Sequence, residues 1–180
     1  MSAVVKSISI STKKNRWVMM VSILFFTVLL VVNIMNFVML HIFQPLGFAF
    51  DALFIFVLFN RINAEYICEM EAESLVFIKR SFWGTKKYEV LNHSIMGIYL
   101  YQPKLIDITN FRRTYRMQSA LDPRNVWTVA YTTSGEKNKI ENCRIYFKPD
   151  QKFLAELTKK LPNKVMENDE KAVLADLNRV

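Results

Sequence analysis

Asp51 is the residue that first demands a chemical explanation. It is the only formal charge between residues 17 and 59, in a stretch without lysine or arginine. A carboxylate in so apolar a segment is costly unless something partners it. Ser22, Asn33 and Asn36 fall within about 60° of one another on a helical wheel turning ~100° per residue. Folding the stretch back on itself about Phe43 and Gln44 sets Asp51 opposite Asn36. Two chemistries fit these residue types. A proton or ion relay would need more carboxylates, or several copies gathered around Asp51. A polar zipper needs only that Asn33 and Asn36 satisfy Asp51, which pins two helices together or docks them on another membrane subunit. One carboxylate does not make a pump, so the zipper is the expectation.

The other reactive side chains are scattered. Cys68 and Cys143 stand far apart with no histidine beside either, and His41 and His93 are isolated. Zinc sites and CxxC redox motifs need closer spacing, so the cysteines read as buried thiols in strands. No Gly-rich phosphate loop, GxSxG or HExxH occurs. The expectation is a non-enzyme without cofactor or metal. The remaining candidates are basic: Lys104, Arg112, Arg113, Arg116 and Arg124, interleaved with Phe111, Tyr115 and Leu121 in a connection over residues 103–125. Long connections are usually functional or disordered. This one could meet anionic lipid headgroups, pair bidentately with an acidic partner protein, or be a solvated loop or extra strand with a basic face. The chain carries a formal +8, but only about half of that lies beyond residue 61. No RNA-binding pattern accompanies it, so nucleic acid is not an expected partner.

The elements that must position these residues are legible in the hydropathy. Residues 17–41 are apolar almost throughout and would reach about 37 Å as a helix, against a hydrocarbon core of ~30 Å. A second apolar run begins at Pro45, which suits a first helical turn. It ends at Asn60-Arg61, short enough that Arg61 would snorkel to the interface and a re-entrant loop stays open as an alternative. A tight turn at 42–44 makes the pair an antiparallel hairpin. Lys6, Lys13, Lys14 and Arg16 precede it, Arg61 follows it and the turn has no cation, so both ends belong on the cytoplasmic or matrix side.

Beyond residue 62 the period changes to two. Strands are predicted at 66–71, 75–82, 86–90, 95–101, 126–133 and 143–147, with a turn at Trp83-Gly84-Thr85. Pro149-Asp150 opens a helix that puts Phe153, Leu154, Leu157 and Leu161 on one face, and Pro162 closes it. The expected organisation is a basic segment 1–16, a two-helix transmembrane hairpin 17–61, a β domain 62–162 and a charged tail 163–180. The fold class is membrane α + β, the β part being a pleckstrin-homology-like (PH-like) antiparallel barrel or sandwich with a C-terminal helix.

Residues 75–98, LVFIKRSFWGTKKYEVLNHSIMGI, with the aromatic-Gly-basic turn Phe82-Trp83-Gly84 before Lys86-Lys87, resemble small two-helix mitochondrial inner-membrane proteins of the complex I assembly-factor type. The serine-rich, acid-free N-terminus is similar in flavour to a mitochondrial targeting sequence. Bacterial membrane-anchored PH-domain proteins resemble the chain in the same layout. The first resemblance implies a non-catalytic structural subunit or assembly factor of a respiratory complex, with both termini in the matrix. Its partners would be membrane lipids and other membrane-complex subunits. The second implies an adaptor on the bacterial inner membrane, binding lipid headgroups or proteins. A channel built around Asp51 is a third, weaker expectation.

Overall fold

The computed structural model describes residues 5–41, 44–101, 111–134 and 139–166. Two long apolar helices form as the hydropathy requires. Helix α1 spans Lys13–Leu40, opening earlier than the apolar run because Thr12 caps it, its hydroxyl accepting from the Asn15 amide. It ends where His41 turns left-handed, at φ 56°. Helix α2, Pro45–Asn63, begins with proline in its first turn and carries Arg61 in its last. Both are long and apolar enough to cross a membrane. Phe26 stacks on Phe54 at 4.9 Å between ring centres, and Phe50 lies 4.5 Å from Phe54. No residue of α1 is buried, and α2 buries only Asp51 and Ile62.

The connection of this helical hairpin to the rest of the chain departs from the expected organisation. Residues Val5–Ser9, inside the segment read as a basic N-terminal stretch, form strand β1. It pairs antiparallel with β2, Glu65–Met70, from Val5↔Met70 to Ser9↔Tyr66. The helices are thus an insertion between two neighbouring strands, and the β domain begins before them. Strands β3 (Ser74–Ser81) and β4 (Gly84–Leu91) complete a four-stranded antiparallel sheet in the order β1-β2-β3-β4. Their loop is only Phe82-Trp83, and the positive φ it requires, 121°, falls on Gly84, a dihedral that costs glycine little.

The second sheet is built from β5 (Ile95–Leu100), β6 (Arg113–Arg116), β7 (Trp127–Ser134), β8 (Ile140–Phe147) and β9 (Val165–Met166), ordered β6-β8-β7-β5-β9. The expectation of a purely antiparallel domain is corrected here. β6 runs parallel to β8, and β9 parallel to β5. Part of the 103–125 connection is therefore an edge strand. Its backbone polar groups find partners on β8 instead of standing open in a loop.

One core joins the sheets. Phe77 on β3 meets Phe147 on β8 edge to face at 5.5 Å, and Tyr88 on β4 meets Tyr115 on β6 at 4.5 Å. Helix α3, Gln151–Lys160, is capped by the Asp150 carboxylate, which accepts from the Phe153 amide at 2.8 Å. It sends Phe153 and Leu157 into the same core, both fully buried, each contributing about 1.5–3 kcal/mol. The apolar helix face foreseen at Phe153, Leu154, Leu157 and Leu161 is the one that packs.

Candidate functional site

The polar seam of the hairpin is narrower than its sequence suggests. Asn33 Nδ2 donates to Asp51 Oδ2 at 2.9 Å, and Asp51 is only 5% exposed. One turn before it stands Gly47, where a Cβ would come to 3.4 Å from Asn33 Nδ2. The missing side chain leaves space for the amide to lie across α2. Asn36, expected opposite Asp51, is not its hydrogen-bond partner, and Ser22 bonds to the Val18 carbonyl of its own helix at 3.0 Å. Asp51 thus pairs three residues earlier on α1 than the expected Asn36. That shift moves Asn33 into the position foreseen for Asn36. The four-residue set reduces to one pair, closed within the hairpin.

A denser polar cluster, which the sequence reading missed, joins the foot of α1 to the β domain. Ser9 Oγ donates to Asp122 Oδ2 at 2.7 Å and accepts from the Ser119 amide at 3.2 Å. Arg124 donates to both Asp122 oxygens and to the Ile8 carbonyl. Lys148 Nζ donates to the carbonyls of Ser119 (3.0 Å) and Asp122. Asn15 Nδ2 and the Thr12 amide both donate to the Leu121 carbonyl. Burial pushes the Asp122 carboxyl up. The hydrogen bonds from Arg124 and Ser9, with the charge of Arg124, outweigh it and hold the group below the usual carboxylate range. Lys148 is lowered, first by burial, with Asp122 opposing. Together these bonds clasp residues 8–15 against residues 119–124.

The basic residues singled out in the sequence fall into two environments, with one outside the described residues. Arg124 belongs to the clasp. Lys104 lies outside the described residues. Arg112, Arg113 and Arg116 share the edge of the second sheet. Arg112 Nη1 and Arg113 Nε stand 2.5 and 3.3 Å from the carboxylate of Glu141, whose side chain is 1% exposed while theirs are about half exposed. These are charge contacts, and neither Glu141 oxygen has a hydrogen-bond partner. Arg116 is exposed and borders, with Tyr101, Gln118 and Tyr146, a recess of about 230 Å³. Beside them Arg144 lies over the rings of Phe111 (4.9 Å) and Tyr146 (5.3 Å), and donates to Thr114 Oγ1. The edge thus presents cationic groups on an aromatic floor, a surface suited to carboxylates.

No family model matches this chain, and no curated protein or solved structure matches it.

Of the other reactive groups, the two cysteines are buried while His41 and His93 are exposed. Cys68 and Cys143 are free thiols in β2 and β8, as the sequence suggested, and burial raises both above the usual thiol range. A thiol so placed is a poor nucleophile. Among the described residues no group of three His, Cys, Asp or Glu side chains could hold a metal ion.

Proposed function

We propose that this protein is a non-catalytic, membrane-anchored adaptor. Its hairpin spans a bilayer, and its PH-like β domain, held on the membrane surface, offers the arginine edge of β6 to an acidic partner protein. The observation that carries this reading is the insertion of the hairpin between β1 and β2. Because those strands pair, both feet of the hairpin must lie on the domain's side, which any spanning arrangement has to respect. The exposed apolar faces of the helices suit a lipid surrounding. Trp17, Leu24, Phe25 and Val38 are 59–68% exposed, and apolar surface on that scale marks an interaction site when it faces water. Lys13, Lys14 and Arg16 at one foot and Arg61 at the other favour the cytoplasmic or matrix face for the domain. The PH-like comparison rests on a four-stranded sheet packed on a second sheet with a C-terminal helix in their shared core. It is an analogy of fold, which does not by itself carry function.

Membership of a mitochondrial respiratory complex would use the same arginine edge but also needs an outward polar face on the hairpin. The Asn33–Asp51 pair is satisfied inside it, which favours the adaptor. Arg116→Glu, alone and combined with Arg112→Glu and Arg113→Glu, tests the reading by co-purification from mild detergent. The expected result is loss of acidic partner proteins while the chain stays in the membrane. Among the described residues Arg116 joins no ion pair, and an unchanged circular dichroism spectrum of Arg116→Glu would separate lost binding from a fold defect. An unchanged set of co-purifying proteins would overturn the proposal.

A further inference from the structure

The loop joining β3 to β4 touches the hairpin. Trp83 lies 5.3 Å from Phe56 and Phe82 lies 6.1 Å from Phe59, centre to centre. Both partners are on α2, Phe56 about 10 Å along the axis from the helix end at Asn63 and Phe59 about 6 Å. The loop therefore reaches past Arg61 into the depth where tryptophan concentrates at membrane–water boundaries. Yet Phe82 and Trp83 remain 70% and 65% exposed. Contact with α2 and with each other leaves most of both side chains uncovered. Burial in the protein does not explain two aromatics at the tip of a two-residue turn, where polar residues and glycine are usual.

The strands leading to this tip add a second observation. Residues 79–87 contain Lys79, Arg80, Lys86 and Lys87 and no acidic residue. Lys79 and Lys86 are direct cross-strand partners, and like charges so placed repel. Arg80 has one loose ion pair, 3.7 Å from Glu65, while Lys86 and Lys87 are exposed. Lys79 also lies over the Tyr66 ring at 5.5 Å, so the exposed Lys86 and Lys87 carry most of the collar's charge that is open to anions from outside.

We infer that the β3–β4 tip is a third membrane-contacting element, with Phe82 and Trp83 seated in the interfacial layer beside α2 and Lys79, Lys86 and Lys87 holding anionic lipid headgroups. The inference rests on the hairpin spanning the bilayer. It assigns lipid recognition to this tip and leaves the β6 edge to protein.

The full chain reconstituted in vesicles, in a Trp17→Phe background, tests it. Trp127 is buried in the core, so the solvent- or lipid-sensitive fluorescence belongs to Trp83. Lipids brominated near the headgroup should quench that emission while aqueous iodide does not, and Trp83→Phe should abolish the quenched component. Brominated phosphatidylserine should quench as well as about fivefold more brominated phosphatidylcholine, the enrichment expected from a single basic side chain at the surface. The preference should fall in Lys86→Gln/Lys87→Gln, fall further when Lys79→Gln is added, and weaken in high salt. Quenching by iodide instead of bromolipid, with the chain still resistant to alkaline extraction, would overturn the tip while sparing the hairpin. Alkaline extraction of the chain would overturn both. Protection from both quenchers would mean that protein covers the tip, and equal quenching by the two lipids would remove the headgroup role; either result overturns the inference.

Discussion

Among the described residues two aspartates are buried, near opposite ends of α1, and they are solved differently. Asp122, in the clasp, receives Ser9, three donors from Arg124 and the nearby ammonium of Lys148. Asp51, in the hairpin, has the amide of Asn33. In the β domain a buried carboxylate is matched by a cation that water can still reach, since the Arg124 side chain is 30% exposed. Between two apolar helices no cation is present, and a neutral amide does the work alone. The first arrangement fastens a domain strongly, because removing one charge orphans another. The second aligns two helices weakly, because hydrogen bonds inside membranes contribute little beyond ~1–2 kcal/mol.

This contrast can be broken at several points. Asp122→Ala should have the largest effect, a loss of about 3 kcal/mol, because it strands Arg124 and leaves Ser9 without its acceptor. Denaturant unfolding in detergent, monitored through Trp127, reads it, and Asp122→Asn should lose less. Acid should reproduce part of that loss. The folded carboxyl titrates below its unfolded value of about 3.9, so its contribution is complete above that pH and disappears as pH falls through the folded value. The acid-induced difference between the native chain and Asp122→Asn isolates this site from other carboxylates. Asn33→Ala should cost about 1 kcal/mol of helix–helix association, measured by steric trapping in bicelles. The double change Asn33→Leu/Asp51→Leu should come close to neutral. A loss as large as that of Asp122→Ala would erase the distinction between the two regions.

Much of the fold was legible because its signals were local. Pro45 marked the start of α2, period-two alternation located β2 to β5, β7 and β8, and Asp150 with its apolar face defined α3. Strand β1 was hidden because its pattern is inverted. Ser7 and Ser9 are buried while Ile8 is 45% exposed, the reverse of what hydrophobicity predicts for a half-buried strand. The serines are inside because each has a distant polar partner, the Asp150 amide for Ser7 and Asp122 for Ser9. β9 escaped for a related reason, and β6 stayed one of three open readings of its connection. Each is short and pairs in parallel with a strand far off in sequence, so no turn announces it. At the candidate sites, the type and spacing of Asn33 and Asp51 foretold a polar zipper. Choosing Asn33 over Asn36 depended on where the turn closes. Arg124 looked like its basic neighbours, and only the fold shows that it is committed to Asp122.

Placing the hairpin between β1 and β2 also bears on how the domain is assembled. Strand β1 leaves the ribosome first, but its partner follows only after both helices have been made. The ends to be joined, Ser9 and Tyr66, are separated by a segment whose closure as a free chain would be slow and entropically costly. Once α1 and α2 stand side by side, their feet bring the strands together and most of that cost has already been met. Under the proposed spanning arrangement, insertion into the bilayer would act as a checkpoint for the domain: a chain left outside the membrane would keep an unpaired edge on its first sheet, a surface open to aggregation and to quality control.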